Sequence, residues 1–165
     1  MDRCNIYAKT VMKKTNNTNF KKTLSKFTTG ITIIATSKKF NLIGKTINSF
    51  SSLSLSPPLI LFSLDVKSSK LNIFNKSDSV SINILSNKQK RISENFAKKN
   101  PNWEKVKYKI SQNGNPLICN CVSNLECTII NKIKKGDHII FICKVSKVMN
   151  NDKLKPLIYY NSKYL

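Results

Sequence analysis

Residues Gly44–Lys70 read GKTINSFSSLSLSPPLILFSLDVKSSK. A strand rich in small polar residues is followed by Pro57 and Pro58, and then by the nearly all-apolar run Leu59–Leu64. Neither proline can donate a backbone hydrogen bond to a sheet, so the pair separates two strands. The apolar run predicts a short strand buried on both faces. Ser68 or Ser69 then predicts the start of a short helix.

The flanking sequence continues this pattern of short strands with few helices. We expect Thr18 to cap a first helix that carries Phe20, Leu24 and Phe27 on one face. Residues 37–42 predict a polar turn, and residues 100–116 predict a long connection that contains the single tryptophan. Further strands are predicted over residues 31–36, 43–50, 79–85, 125–133, 138–148 and 157–160, and a further helix over residues 88–99.

These elements predict a mainly β, α+β domain centred on a β-barrel. We expect residues 16–165 to form one domain and the polar residues 1–15 to be frayed. No apolar run approaches the ~20 residues that a membrane-spanning helix needs. The first residues also lack the basic and apolar regions of a secretory signal, so we expect a cytoplasmic protein without membrane contact.

The chain carries a formal net charge of +21. Such a charge attracts nucleic acids non-specifically. However, Arg3 and Arg91 are the only arginines, so lysine supplies nearly all of the charge. Arginine makes the forked contacts that base-specific proteins favour, and the lysines form no long block. The charge therefore predicts only non-specific contact with nucleic acid.

The cysteine pattern indicates free thiols. Five cysteines are present, an odd number, in a chain without a visible secretion signal. Cys119 and Cys121 are too close in sequence for a Cys-x-x-Cys zinc or redox motif. Cys127 and Cys143 lie in apolar strand patterns and are expected to be core residues. No metal site is predicted.

Two short polar segments are candidate ligand contacts. Thr46, Asn48 and Ser49 lie in a strand that buries poorly unless a polar group lies against it, although an exposed edge strand would explain the same residues. The segment Lys67–Lys70 combines hydroxyls, lysines and a helix start, which favours an anion site. An ordinary helix cap with solvated lysines is the alternative.

Two further polar residues are candidates on weaker grounds. Asn83 lies on the polar face of a predicted strand and could contact a cofactor or a neighbouring loop. His138 is the only histidine, and a single histidine more often has a structural role. It cannot on sequence grounds form a metal site or a nucleophile-activating triad. Asp137 is expected to be a turn residue.

Together these motifs resemble the flavin reductase-like domain family. The resemblance rests on the Thr-x-Asn-Ser-Phe run from Thr46, the double proline, the paired serines and the Gly-Asp-His-x-x-Phe run from Gly136. It extends over residues 18–164, with Tyr159 and Tyr160 in the closing segment. Lys70 stands where many relatives carry threonine. The matching positions in the family contact flavin at Thr46, Ile47, Asn48, Ser49, Ser63, Leu64, Asp65, Ser68, Ser69 and Lys70.

The resemblance implies a split β-barrel that binds FMN or FAD and forms a homodimer. It also implies hydride transfer from NADH or NADPH to the flavin, with His138 beside the nicotinamide and Ser68, Ser69 and Lys70 at the ribityl-phosphate. The reduced flavin would then supply a monooxygenase partner. Three alternatives remain open. These are an FMN-binding flavoprotein that reduces another acceptor, a flavin-binding protein without turnover, and a basic small barrel that binds nucleic acid.

Overall fold

The computed structural model describes residues 14–38 and 41–165. Most of the predicted frayed segment 1–15 and Cys4 lie outside the described residues, as do residues 39 and 40 of the predicted 37–42 turn. The helices are α1 (Asn17–Leu24), α2 (Leu71–Asn75) and α3 (Lys90–Ala97), and a 3-10 turn (Asn87–Gln89) precedes α3. The strands are β1 (Thr29–Gly30), β2 (Thr32–Lys38), β3 (Asn41–Ile47), β4 (Ser51–Ser54), β5 (Leu59–Asp65), β6 (Ser79–Ile84), β7 (Tyr108–Ile110), β8 (Pro116–Ile118), β9 (Ser123–Lys135), β10 (His138–Asn150), β11 (Ile158–Tyr160) and β12 (Lys163–Tyr164).

Seven antiparallel strands form the main sheet, in the order β3-β2-β6-β9-β10-β5-β4. Side chains from six of these strands meet in one core, so the sheet wraps around it. In this core the rings of Phe62 and Phe141 stack with centroids 4.9 Å apart. The edge strands β3 and β4 are not paired with each other, which makes the barrel split. The predicted mainly β split barrel with few short helices is confirmed.

A second core lies on the other face of β2 and β6. It combines Ile33 and Ala35 of β2 with Phe96 of α3 and Ile118 of β8. Trp103 packs edge-on against Phe96, with ring centroids 4.6 Å apart. Helix α3 is therefore fixed against the sheet by its aromatic face, and it lies within the helix predicted over residues 88–99. A small sheet, β1-β11-β12, lies beside this core.

Several element boundaries differ from the predictions. The first helix is capped by Asn16 rather than Thr18, because the Asn16 side chain accepts a hydrogen bond from the Asn19 N–H at 2.8 Å. The predicted turn is shorter, since β2 and β3 pair as far as Lys38 and Asn41. The predicted long connection contains β7, which pairs with β8. We did not predict β7 from the sequence. It has only three residues, and all three side chains are exposed.

The burial patterns of two strands add to the predictions. In one copy of the chain, β5 alternates between fully and partly buried residues, so one of its two faces lies in the core of that copy. In β6 the polar residues Ser81 and Asn83 are as fully buried as Val80 and Ile82, because the second core covers the polar face. The β6 sequence still alternates, since buried polar groups are tolerated where hydrogen bonds satisfy them.

Gly44→Ala tests the contact between β3 and α3. A Cβ atom at residue 44 would lie 2.6 Å from Phe96 Cε1 and 3.0 Å from Trp103 Cζ2. We expect the free energy of unfolding, measured by urea denaturation, to fall by about 1–3 kcal/mol, because the aromatic pair must shift. Gly30→Ala is the control, since a Cβ there meets no atom within 4 Å. Equal losses in both variants would contradict the steric explanation.

Candidate functional site

A cavity of about 340 Å³ lies where the two edges of the main sheet approach each other. Three chain segments form it: the end of β3 with the residues that follow, the end of β5 with its following loop, and the first residue of β10. We call it the edge pocket. Its lining residues are Lys45, Thr46, Ile47, Asn48, Ser49, Ser63, Leu64, Asp65, Lys67, Ser68 and His138.

Ser49 connects the two sides of the edge pocket. Its hydroxyl donates to the Ser63 carbonyl at 2.9 Å and accepts from the Ser63 N–H at 3.1 Å. Both bonds use main-chain groups of Ser63, which lies beyond the part of β5 that pairs with β4. Ser49 therefore sets the distance between the β3–β4 connection and β5, and its hydroxyl proton is already engaged.

Thr46 and Lys45 are held against helix α3. The Thr46 hydroxyl donates to the Ser93 carbonyl at 2.7 Å, and the Lys45 ammonium lies 3.4 Å from the Ala97 carbonyl. Both side chains are partly buried, whereas Asn48 is exposed on the pocket wall. Thr46 thus anchors the wall, and Asn48 presents a free-standing amide to the cavity.

The loop after β5 is folded around Asp65. Its carboxylate accepts from the Lys67 N–H at 2.7 Å, and its carbonyl accepts from the Ser68 N–H at 2.9 Å. These bonds hold Lys67 and Ser68 at the pocket wall. Ser69 and Lys70 do not line the pocket. Helix α2 begins at Leu71, and Lys70 is its N-cap. Only Lys67 and Ser68 of the predicted anion-binding segment Lys67–Lys70 therefore line the edge pocket, and the helix begins later than the predicted Ser68 or Ser69.

Asn83 was a wrong prediction for direct cofactor contact. It is fully buried in the barrel wall and is not a lining residue of the edge pocket. Its amide nitrogen donates to the Ile33 carbonyl at 3.1 Å. Its amide oxygen accepts from the Ile118 N–H and the Asn124 side chain, both at 2.8 Å. The alternative role, in which Asn83 fixes a neighbouring segment, is the one that this geometry supports.

His138 begins β10 directly after the turn at Gly136, whose φ of 56° suits a residue without a side chain. Its Nδ1 lies 2.8 Å from the Asp137 carboxylate. The Asp137 carbonyl also accepts from the Val66 N–H at 2.9 Å, which ties the turn to the end of β5. With Nδ1 bound to the carboxylate, Nε2 is the ring atom left for the pocket.

Asp137 is therefore more than the turn residue that the sequence predicted. The hydrogen bond from His138 lowers the pKa of its carboxyl, and the charge of His138 acts in the same direction. Asp137 is exposed, so its interaction is open to solvent. The carboxylate fixes the orientation of the imidazole ring.

Sequence reasoning missed one lysine of the pocket wall. Lys67 belongs to the predicted anion-binding segment, but Lys45 was not singled out. Lys45 lies two residues from both Ile43 and Ile47 in β3. The period-two rule for strands could therefore have placed Lys45 on the same face of β3 as Ile47, which lines the pocket. The cue was weak because lysine is abundant throughout the chain.

The remaining groups with possible chemistry lie elsewhere. Cys121, Cys127 and Cys143 are buried free thiols, and burial raises the pKa of each to about 12. Tyr159 packs on the second core, and Tyr160 is exposed. Within the described ranges, no group of three or more His, Cys, Asp or Glu residues could hold a metal ion. No helix in this part of the chain is long and apolar enough to cross a membrane.

The model of the flavin reductase like domain family matches residues 24–165. The chain is 31% identical over 137 residues to the FMN reductase (NADH) SmoA of Agrobacterium fabrum, covering 83% of this chain and 79% of that protein. It is 31% identical over 148 residues to the reductase subunit HsaB of a flavin-dependent monooxygenase from Mycobacterium tuberculosis, covering 88% and 79%.

Solved structures of similar proteins have the same fold as this chain. The homologue of nitrilotriacetate monooxygenase component B from Mycobacterium thermoresistibile superimposes with a TM-score of 0.86 at 31% identity, covering 90% of this chain and 84% of that one. The flavin reductase PheA2 superimposes with a TM-score of 0.84 at 31% identity, covering 92% and 97%.

The titration of Asp137 tests its pairing with His138. We expect the carboxyl ¹³C shift of Asp137 to titrate below the usual range for aspartate, because the folded state favours the ionised form. The pairing therefore stabilises the folded protein above the unfolded-state pKa, and this contribution is lost as the pH falls through the lowered folded-state pKa.

In His138→Gln the Asp137 titration should move back toward the usual range. Lys67→Gln is the control, because Lys67 is the weakest of the groups that lower the pKa of Asp137. A larger effect of Lys67→Gln than of His138→Gln would show that the hydrogen bond is not the cause.

Proposed function

Because the chain belongs to the flavin reductase-like domain family, we propose that it is an NAD(P)H-dependent flavin reductase that binds FMN or FAD in the edge pocket. The observation that carries the proposal is the convergence of three motifs on one cavity. Thr46–Ser49, the Ser63–Ser68 segment and His138 are far apart in sequence but line the same space. A shared cavity of several hundred Å³ is the usual form of a cofactor site.

The side chains of the edge pocket fit a flavin chemically. Ile47 and Leu64 line the cavity from the barrel core, in which both are buried. The exposed Asn48 amide offers a donor and an acceptor to a ring edge. Lys67, Ser68 and Lys45 supply cationic and hydroxyl groups for a phosphate. Ser69 and Lys70 are kept as outer members of this phosphate site, since they directly follow Ser68. When bound, the flavin accepts a hydride from the nicotinamide.

The chain's own residues orient the reactants. Asp137 holds His138 Nδ1, which directs Nε2 toward the space that a nicotinamide would share with the ring. Thr46 and Ser49 have their hydroxyl protons engaged by Ser93 and Ser63, so they keep the wall rigid. Rigid positioning of this kind contributes to rate without a covalent step. His138 is therefore proposed as a contact of the nicotinamide and not as a nucleophile.

We further propose that reduced flavin leaves to serve a flavin-dependent monooxygenase. The supporting observation is that similar proteins are named as reductase subunits or components of such enzymes. Two similar proteins are named for NADH, which makes NADH the first donor to test. The proposal treats residues 16–165 as a single domain, which the family match over residues 24–165 supports.

The outward face of the main sheet supports a homodimer. Leu61 and Ile142 are paired there, as are Ile140 and Ile133, and all four are only partly buried in one copy. Leu61, Ile140 and Ile142 alternate with the core residues of β5 and β10, so they point away from the core. Ile133 of β9 lies on the same face, because it pairs with Ile140. Ser63 and His138 share this outward side. A second copy on this face would lie beside the edge pocket and would exclude water from it.

His138→Ala tests the reductase activity. With FMN present, we expect the wild type to oxidise NADH at 340 nm and kcat/KM for NADH to fall at least about tenfold in the variant, which corresponds to about 1.4 kcal/mol. Asp137→Asn should retain part of the activity, since the ring stays but loses its charged partner. Asp152→Asn is the control away from the edge pocket.

Failure of the wild type to oxidise NADH or NADPH with FMN or FAD would contradict the proposed function. Full activity of His138→Ala with an active wild type would contradict only the role of His138.

Ile142→Glu tests the dimer. Size-exclusion chromatography with light scattering should give a dimer for the wild type and a monomer for the variant, because a carboxylate would be buried in an apolar contact. Val148→Glu is the matched control, since Val148 is 61% exposed near the other end of β10. A monomeric wild type at about 10 μM, or dissociation caused by Val148→Glu alone, would contradict this interface.

A further inference from the structure

A second concave surface lies at the far end of the β9–β10 hairpin. Two neighbouring cavities of about 470 and 360 Å³ share Asn120 and Asn151, so they form one continuous groove. We call it the distal groove. Strand β10 runs 13 residues from His138 to Asn150, which is about 40 Å of extended chain. Asn150 lines the distal groove, so the groove is separate from the edge pocket.

The distal groove is strongly cationic. Lys88, Lys105, Lys107 and Lys153 line it, against the single acid Asp152. Among the described residues, none of these ammonium groups lies within 4.0 Å of a carboxylate. Their charges are therefore not neutralised by the protein. Lys88, Lys105 and Lys107 line the larger cavity, and Lys153 lines the smaller one beside Asp152. Such a site attracts an anion that carries more than one charge.

The floor of the groove is rigid. The buried Gln89 donates from its amide nitrogen to the Cys119 carbonyl at 2.8 Å and accepts from the Ser86 N–H at 2.9 Å. The Ser86 hydroxyl donates to the Asn120 carbonyl at 2.9 Å, and Asn120 has a φ of 61°. These bonds fix the turn that joins the two cavities. Because these segments are already ordered, the protein loses less conformational entropy when a ligand binds.

The groove also contains apolar and amide groups. Ile92 and Leu154 are partly buried in its wall and could cover the face of a flat ring. The side chains of Asn120 and Asn151 line both cavities and offer amide donors to a ring edge. The other two asparagines are already engaged, since Asn124 donates to Asn83 and Ile118 and Asn150 accepts from Ser123. The lysines suit a phosphate, and this combination suits a phosphate attached to a heterocycle.

We propose that the distal groove binds a phosphorylated ligand with a flat ring, of the mononucleotide class, at a site distinct from the edge pocket. The phosphate lies among Lys88, Lys105 and Lys107, and the ring lies toward Leu154 and the asparagine side chains. This site does not depend on the reductase activity, because it shares no lining residue with the edge pocket.

The test titrates AMP, with inorganic phosphate as a second probe, into the full chain at 150 mM salt by calorimetry. We expect saturable AMP binding that weakens at least about tenfold in Lys88→Gln/Lys105→Gln/Lys107→Gln, since three charges near the phosphate are lost. Lys21→Gln/Lys22→Gln/Lys76→Gln removes the same charge from exposed positions outside the groove and should bind like the wild type. Phosphate alone should bind more weakly than AMP, because it lacks the ring.

Equal weakening in both triple variants would overturn the proposal, because the net charge would then be the cause. AMP binding that is lost in Lys45→Gln/Lys67→Gln but kept in the groove variant would assign the nucleotide to the edge pocket. The second measurement is the amide NMR spectrum of the wild type with AMP. Shifts at Asn120 and Asn151 support the distal groove, and shifts confined to Thr46–Ser49 or an absence of saturable shifts overturn it.

Discussion

The Ser49 hydroxyl joins the two sides of the split barrel, because it bonds to both main-chain groups of Ser63. The edge strands β3 and β4 have no ladder between them, so the sheet alone does not fix the width of the opening. The edge pocket exists at this opening, and its walls are the segments that Ser49 connects. A side-chain bond thus does here what strand pairing does elsewhere in the barrel.

The outer side of β3 depends on helix α3. Thr46 bonds to the carbonyl of Ser93, and Gly44 leaves room for Phe96 and Trp103 to pack directly on the strand. Buried polar side chains hold the neighbouring segment in the same way, since Asn83 satisfies Ile118 and Asn124 at once. The wall of the edge pocket is therefore supported from behind by well-packed groups, while Asn48 and Lys67 remain exposed at its surface.

Much of this arrangement could be predicted from the sequence. The hydroxyl run after Gly44, the double proline and the Gly-Asp-His turn predicted strands and turns that the structure contains, because turn chemistry and strand alternation are local properties. Burial of polar residues was harder to predict. Asn83 resembled a surface residue because three of its four hydrogen-bond partners come from segments distant in sequence. Strand β7 was missed although Tyr108 and Ile110 flank Lys109 in the alternation typical of a strand, because it has only three residues. The pairing of Asp137 with His138 depends on a side-chain orientation that the turn motif alone does not specify.

The burial of three thiols has a consequence for handling and lifetime. The thiolate is the form that peroxide oxidises, and a pKa of about 12 leaves only about one thiol in 10⁵ ionised at neutral pH. Cys121, Cys127 and Cys143 are therefore chemically quiet as long as the protein stays folded. Reduced flavin generates peroxide when it meets oxygen, so burial protects these three thiols, whereas the free thiol of Cys119 is only partly buried. Unfolding would expose all three thiols together. Oxidation of these cysteines would therefore indicate that the protein had unfolded.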